Sequence, residues 1–377
     1  MMRQCVEVHT EVIGHVGFIT LNRPKALNAL SLPMVHALLD TLRAWQGDAK
    51  VVGVAIRGSN KAGRPGTPEA LFGGFCAGGD IRFFHQAALD GDPRLDEFFT
   101  DEYTLNHLIH HYPKPYIAFM DGVVMGGGMG ISQGATLRIV TEKTKMAMPE
   151  TGIGLFPDVG GGYFLGRCPG HVGEYLALTG DTISGELAVH WKLADACVPS
   201  EVMPSLWAQL QGLGSVADVE QWIATNVIAA HAASTGIEHD FDPKMEAAFG
   251  LRSVGDIVNA LEGLGTKSAR AVAATLRHRS PLMLHVVLEQ VRRARTMTLA
   301  DDLRMERDLV QHCFYTAHLD RSGAQSETVE GIRALAIDKD YQPQWNPKRI
   351  DAVTPAMVAP FFVSPWTPEN HPLRGLT

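Results

Sequence analysis

The continuous apolar run at residues 51–56, VVGVAI, constrains the fold of this chain more than any other segment. Such a run, rich in β-branched residues and without alternation, is typical of a strand that is buried on both faces, as in a parallel sheet. It follows a segment, capped by Ser31, whose apolar residues recur at helical spacing: Val35, Leu38, Leu39, Leu42 and Trp45. Because helices beside buried strands cover the faces of a sheet, the sequence predicts an α/β fold.

The elements around this run continue the alternation of strands and helices. Alternating segments at residues 6–12 and 16–21 predict a hairpin that turns at Gly14. A segment rich in glycine and proline, residues 58–79, predicts a long loop, and loops of that length are usually functional or mobile. The further predicted elements are helices at 80–88 and 95–111 and strands at 115–120, 137–141 and 146–147.

Beyond about residue 198 the sequence pattern becomes helical. The length of 377 residues by itself favours two or three domains. We therefore predict an α/β core over residues 1–200 and a mainly helical C-terminal region over residues 201–377. The C-terminal region would cover the core or form a subunit interface, so a homo-oligomer is an open expectation.

Charge and cysteine content exclude several classes of protein. The formal charge of −8 argues against a nucleic-acid-binding protein, because binding to phosphates needs a basic surface. No stretch approaches the roughly 18 consecutive apolar residues that span a membrane. The first residues lack a basic segment followed by an apolar one, so we expect a cytoplasmic protein. Five scattered cysteines without a C-x-x-C pair suggest neither disulfides nor a zinc site.

The pentapeptide Gly130-Ile131-Ser132-Gln133-Gly134 matches G-x-S-x-G, the nucleophile elbow of α/β-hydrolases. An elbow serine belongs at the sharp turn directly after a strand. The predicted strand ends near Met120, so Ser132 is expected inside the following helix. Small residues for close helix packing are the favoured interpretation.

Three histidines, His107, His110 and His111, have a spacing compatible with metal ligation on a helix. No H-E-x-x-H motif occurs and no third ligand is evident. The sequence therefore favours ordinary surface or core histidines, and we predict no metal.

Two glycine-rich segments precede predicted helices: FCAGGD at residues 75–80 and MGGGMG at residues 125–130. Their backbone N–H groups are unshielded by side chains and lie near the positive end of a helix dipole. If N–H groups of both segments converge, they form an oxyanion hole. For either segment alone, glycines that merely permit close packing are the favoured interpretation.

The segment at residues 149–162, PETGIGLFPDVGGG, places two carboxylates in an apolar turn. Glu150 and Asp158 are separated by Ile153, Leu155 and Phe156, and apolar surroundings raise the pKa of a carboxyl group into a range suited to acid/base chemistry. Asp158 could equally be a plain helix N-cap.

Together, these segments and GFITLNRPKALNAL at residues 17–30 resemble the enoyl-CoA hydratase/isomerase (crotonase) superfamily, and FPDVGGGYFL resembles its thioester-hydrolase branch. The resemblance covers nearly the whole chain. It implies a crotonase-like spiral of ββα units with a mainly helical C-terminal region. It also implies that an acyl-CoA thioester is the substrate and that no cofactor is permanently bound.

The resemblance assigns roles to individual residues. The backbone N–H groups of Ala77, or its neighbour Gly78, and of Gly127 would hold the thioester carbonyl. Glu150 matches the catalytic glutamate, Asp158 the second acid, and Glu102 an acid of the substrate site. The residues matched to the CoA site, where two cations would attract phosphates, are Arg23, Lys25, Ala26, Leu27, Gly79, Asp80 and Ile81.

One departure from the family pattern separates two reactions. Hydratases of the superfamily use two glutamates, and the position of the first is Gly130 in this chain. Glycine cannot transfer a proton, so the resemblance implies hydrolysis of a short, branched 3-hydroxyacyl-CoA. The alternatives are an enoyl-CoA hydratase or isomerase and a CoA-binding protein without catalytic activity.

Overall fold

The computed structural model describes residues 5–61, 71–234 and 241–377, and the side chains of residues 227–234 are not described. Residues 62–70 of the predicted long loop lie outside this part of the chain. The strands are β1 Val8–Ile13, β2 Val16–Leu21, β3 Gly53–Gly58, β4 Tyr116–Met120, β5 Val123–Met125, β6 Leu137–Thr141, β7 Lys145–Ala147, β8 Ile183–Ser184 and β9 Ala196–Val198.

The helices occupy most of the remaining chain. They are α1 Leu32–Gly47, α2 Ile81–Asp90, α3 Arg94–His110, α4 Gly127–Gln133, α5 Gly161–Leu165, α6 Val172–Thr179, α7 Gly185–His190, α8 Met203–Leu210, α9 Val216–Ser234, α10 Pro243–Phe249, α11 Val254–Gly263, α12 Lys267–His278, α13 Pro281–Ala294, α14 Leu299–Phe314, α15 Glu327–Ile332 and α16 Pro355–Val358. Short 3₁₀ helices include Pro24–Ala26 and Glu150–Ile153. None of the described helices is long and apolar enough to cross a bilayer.

The chain divides into two compact units, each built from three segments. The first unit comprises Met1–Gly79, Leu105–Ala147 and Thr182–His239, and the second comprises Asp80–Thr104, Met148–Asp181 and Asp240–Thr377. These units are interleaved in sequence and do not coincide with the division near residue 200. The described residues after Val198 form helices and no strand, as the sequence pattern predicted.

The first unit contains two sheets. The larger sheet has the order β1-β2-β3-β4-β6-β9, in which only β1 and β2 pair antiparallel. The smaller sheet has the order β5-β7-β8. The predicted α/β class, hairpin and parallel buried strands are confirmed. Every residue of β4 is buried, which explains why its sequence lacks alternation.

The core of the first unit lies against the larger sheet. The Trp207 ring centroid is 4.9 Å from that of Phe18 and 5.2 Å from that of Phe119. Gly17 has no space for a side chain, because a Cβ there would lie 2.5 Å from the Trp45 ring of α1. The glycine therefore lets α1 pack directly on the sheet.

The second unit is helical. Most side chains of α13 are buried, and the helix contacts α5 and α6. Aromatic side chains of three helices pack together: the Phe84 centroid lies 4.8 Å from that of Phe98, and the Phe99 centroid lies 5.7 Å from that of Phe314. This packing fixes α3 beside α14, and both helices carry buried acidic residues.

Candidate active site

Three carboxyl groups are buried together in the second unit. Glu150 begins a 3₁₀ helix, Asp158 lies in the turn before α5, and Glu102 lies on α3. Their side chains are 6%, 6% and 2% exposed. Buried carboxyl groups are costly unless they are paired or neutral, so such a cluster indicates a functional site.

The surroundings of Glu150 raise its pKa and leave one of its carboxyl oxygens without a partner in the described part of the chain. Burial, and secondly the charge of Asp158, raise the pKa of Glu150 well above its usual range. Its Oε2 atom has no hydrogen-bond partner among the described residues. An unpaired carboxyl oxygen in a buried site can accept a proton or attack a substrate.

Asp158 is held by a tyrosine. The Tyr103 hydroxyl donates a hydrogen bond to Oδ2 of Asp158 across 3.0 Å. Burial raises the pKa of Asp158 to about 7, while the Tyr103 hydrogen bond acts in the opposite direction. The N-cap of α5 is Gly160, so the interpretation of Asp158 as a plain helix cap is wrong.

Glu102 is the third acid of the cluster. Burial, and then the charges of Asp158 and Glu150, raise its pKa well above the usual range. Its Oε1 atom has no hydrogen-bond partner in the described part of the chain. Because like charges in a poorly solvated site oppose one another's ionisation, the cluster favours protonated carboxyl groups more than separate exposed acids would.

The two glycine-rich segments meet in the first unit. The Cys76 N–H donates to Val123 O across 2.9 Å, and Met125 N–H donates to Cys76 O across 3.0 Å. Gly128 must be a glycine, since a Cβ there would lie 2.3 Å from Cys76 O. Backbone pairing therefore joins the two loops side by side.

Gly78 lies next to the beginning of α4. Its φ is +105°, and a Cβ on Gly78 would lie 3.8 Å from the Gly127 nitrogen. Among the described residues neither the Gly78 N–H nor the Gly127 N–H donates to a protein acceptor. Two neighbouring free amides are the arrangement that stabilises an oxyanion.

The prediction of Ala77 as an oxyanion donor is wrong. The Ala77 N–H donates to Leu27 O across 3.0 Å and is therefore already paired. Of the two neighbouring candidates, Gly78 is the one whose amide has no acceptor among the described residues.

The predicted CoA-binding cations differ in their surroundings. The Arg23 guanidinium lies 3.1 Å from Oε1 of Glu7 and donates to Ala29 O across 3.0 Å. Two of the Arg23 donors are thus engaged by the protein, and the role of Arg23 as a phosphate ligand stays a prediction. Lys25 is exposed on the 3₁₀ helix Pro24–Ala26.

The other predicted CoA-site residues lie in two places. Ala26 is half-buried, Leu27 is 46% exposed with φ +53°, and Gly79 pairs with Leu30 in an isolated bridge of the first unit. Asp80 and Ile81 begin the second unit. Asp80 caps α2 by accepting a hydrogen bond from Phe83 N–H across 3.3 Å.

Sequence reasoning missed the buried Asn28. Its Oδ1 accepts from Arg23 N–H across 2.9 Å. Its Nδ2 donates to the carbonyl oxygens of Ser59, Gly74 and Phe75 at 2.8, 2.9 and 3.0 Å. Asn28 thereby fixes the loop that leads to Gly78. A polar residue within the apolar stretch ALNAL was the available signal.

Sequence reasoning also missed Tyr103 and Glu306 as residues of the site. Tyr103 directly follows Glu102. Glu306 and Asp302 are four residues apart on α14 and interrupt its buried face, which was the available signal.

The serine of the G-x-S-x-G match lies inside α4, as predicted. Ser132 is fully buried, and its hydroxyl donates to Gly128 O across 2.8 Å. The elbow interpretation is therefore wrong.

The His107 and His111 rings stack with centroids 4.2 Å apart, and His111 Nδ1 lies 3.1 Å from His107 O.

Comparisons with known proteins add a second line of evidence. A family model described as enoyl-CoA hydratase/isomerase matches residues 16–362. The mitochondrial 3-hydroxyisobutyryl-CoA hydrolase of Danio rerio is 38% identical over 362 residues, covering 95% of this chain and 90% of that protein. The protein of the same name from Xenopus tropicalis is 39% identical over 357 residues, covering 93% and 87%. The crystal structure of a carnitinyl-CoA dehydratase from Mycobacterium thermoresistibile is 36% identical, with a TM-score of 0.80, and the match covers 97% of this chain and 98% of that one.

Proposed function

This chain belongs to the enoyl-CoA hydratase/isomerase family, and from that premise we propose that it is a thioester hydrolase that converts 3-hydroxyisobutyryl-CoA and water into 3-hydroxyisobutyrate and CoA. The predicted crotonase-like fold is confirmed by the solved structure with a TM-score of 0.80. The observation that carries the proposal is the buried Glu150, whose Oε2 is unpaired beside Asp158. Relatives named 3-hydroxyisobutyryl-CoA hydrolase support the choice of substrate.

The amides of Gly78 and Gly127 stabilise the charge that develops on the thioester oxygen. Both donors belong to backbone that is already fixed by pairing between the loops, so little reorganisation is needed when the charge forms.

Glu150 has two roles open to it. As a nucleophile, its carboxylate attacks the thioester carbon, the C–S bond breaks, and water then hydrolyses the mixed anhydride. As a general base, it takes a proton from the water that attacks the same carbon. In both routes the departing CoA thiolate needs a proton, and a carboxyl group of this cluster can supply it, because burial raises the pKa of all three acids.

Asp158 orients the attacking water or the 3-hydroxyl group of the substrate. Its pKa of about 7 leaves the carboxyl group partly ionised at neutral pH, so it can accept a hydrogen bond from either group. Glu102, with its unpaired Oε1, supplies a further polar contact for the substrate.

The CoA end of the substrate meets the loop around Lys25. Lys25 is exposed and gives a chain of net charge −8 a local cation for a phosphate.

Hydrolysis by these groups requires no permanently bound cofactor. Assembly into a homo-oligomer through the helical C-terminal region belongs to the same proposal.

The second candidate function is hydration of an enoyl-CoA or the reverse dehydration. The name of the solved carnitinyl-CoA dehydratase favours it. Against it, residue 130 is a glycine and offers no second carboxylate at the position that hydratases of the family use.

One paired assay separates the two candidates. Release of free thiol is measured with 3-hydroxyisobutyryl-CoA, and loss of the double bond is measured with crotonyl-CoA. We expect rapid thiol release and little hydration. Rapid hydration without thiol release would refute the hydrolase proposal, and activity on neither substrate would favour a CoA-binding protein without catalysis.

A further inference from the structure

The turn that carries Asp158 is held by buried side chains of α13 and α14. Before Asp158, Gln290 Nε2 donates to Pro157 O across 2.6 Å. After it, the Gly160 N–H donates to Oε2 of Glu306 across 2.7 Å, and the Gly162 N–H donates to Oε1 of Glu306 across 3.0 Å. Backbone groups on both sides of Asp158 are thus fixed by side chains more than 130 positions away in the sequence.

These side chains are also joined to one another. Gln290 Nε2 donates a second hydrogen bond to Oε1 of Glu306 across 3.1 Å. Asp302, one helical turn from Glu306, accepts from the Tyr163 N–H across 2.8 Å. Gln290, Asp302 and Glu306 are all fully buried.

A contribution to the stability of the fold does not by itself explain why these carboxyl groups are buried. Two fully buried carboxyl groups on neighbouring turns of one helix carry a large desolvation penalty. Gly162 accommodates them, since a Cβ there would lie 2.5 Å from Oδ1 of Asp302. The charge of Asp158 is among the causes that raise the pKa of Glu306, so the two carboxyl groups interact electrostatically.

We propose that Glu306 is a positioning residue for the hydrolysis: it fixes Asp158 by accepting the amide hydrogens of Gly160 and Gly162, while Gln290 holds the Pro157 carbonyl on the other side. The inference rests on the proposed hydrolase function. A displacement of a catalytic group by about 1 Å costs roughly 100-fold in rate, so a loosened turn would lower kcat more than it weakens CoA binding.

The test uses Glu306→Gln in the full-length protein, because an amide side chain offers a single oxygen acceptor and leaves one of the two N–H groups unpaired. We expect kcat for thiol release to fall about 10-fold or more, with KM within about threefold of the unaltered protein. Glu289→Gln is the matched control: Glu289 lies on α13, is 45% exposed and pairs with Arg293. Its kcat should be unchanged.

A double-mutant cycle separates positioning from general loosening of the fold. In an Asp158→Asn background, Glu306→Gln should lower the residual kcat by less than about twofold, since the group that it positions is already lost. Gln290→Met removes the contact to Pro157 without changing any charge, and it should lower kcat in the same direction. This variant decides the question if Glu306→Gln does not fold.

Two results would overturn the inference. One is a folded Glu306→Gln protein, or Gln290→Met protein, with normal kcat and only a lower melting temperature. The other is a full additional loss in the Asp158→Asn background. Absence of thiol release by the unaltered protein would instead refute the proposed function, so the two failures are distinguishable.

Discussion

Tyr103 and Asp158 form a buried hydrogen-bonded pair in which the phenol donates to the carboxyl oxygen across 3.0 Å. Burial and the neighbouring charge of Asp158 raise the pKa of Tyr103 well above its usual range, so it remains a donor at every working pH. The pair therefore holds Asp158 in a fixed orientation and favours its ionised form.

Tyr103→Phe should shift the acidic limb of the pH–rate profile to higher pH. The hydrogen bond lowers the pKa of Asp158, which is about 7, and its removal raises that pKa and reduces the ionised fraction below neutrality. We expect a loss of about 10-fold in kcat/KM at pH 6 and a smaller loss at pH 9. Tyr315→Phe is the control, since it also removes a hydrogen bond from a tyrosine hydroxyl to a carboxylate. In that case the acceptor is Oδ2 of Asp96, at an exposed position. An unshifted profile for Tyr103→Phe would contradict the assigned role.

Glu150→Gln should reduce kcat by about three orders of magnitude or more and change KM little, because the amide can neither attack the thioester nor take a proton from water. Thiol release measures the loss, and equilibrium binding of CoA measures what remains. Glu142→Gln is the control, since Glu142 is exposed and bonded to Ser200. Equal activity of Glu150→Gln and the unaltered enzyme would remove Glu150 from the mechanism.

Gly78→Ala should lower kcat by about 100-fold, the effect of losing one oxyanion donor. The φ of +105° is strained for any residue with a side chain, so the backbone at residue 78 and its amide must move. Gly91→Ala is the matched control, because Gly91 also has a positive φ, +65°, but no neighbour within 4 Å. That variant should lose about 1 kcal/mol of stability and keep its rate. Equal rates for both alanine variants would exclude Gly78 as a donor.

Asp302→Asn should stabilise the protein at alkaline pH. Burial raises the pKa of Asp302 from 3.8 to about 7, so its contribution to stability is fully present below about pH 4 and is lost as the pH rises through 7. Relative to the unaltered protein, the variant should gain stability, and this gain in the free energy of unfolding should be about 2 kcal/mol larger at pH 8 than at pH 5. Asp301→Asn, an exposed neighbour on α14, should show no such difference. Denaturant titrations at the two pH values provide the measurement, and parallel curves for the two variants would refute the prediction.

Ser132→Ala should leave the rate of thiol release near normal. The hydroxyl bonds to carbonyl groups of its own helix, so its removal costs about 1 kcal/mol of stability and no chemistry. A large fall in kcat with a native melting temperature would restore the nucleophile-elbow interpretation.

Much of the fold could be predicted because its signals are local. The runs at β3 and β4 and the helical spacing in α1 need only neighbouring residues to be recognised. The short strands β5, β8 and β9 were not predicted, since two or three residues carry too little periodicity. The sequence also did not predict that the two units are interleaved along the chain, because this division depends on contacts between distant segments.

The sequence by itself determined the chemical inventory of this protein: Glu150 and Asp158 in an apolar turn, Glu102 through the family resemblance, and glycines that free the backbone at residues 78 and 127. Only the tertiary structure decided which of these groups are available. It paired the Ala77 amide with Leu27, left the Gly78 amide without an acceptor in the described part of the chain, and placed Glu306 against Gly160 across 146 positions of sequence. The physical reason is that residue type and local spacing are properties of neighbouring residues, whereas burial, pKa and hydrogen-bond partners depend on which distant segments fold together.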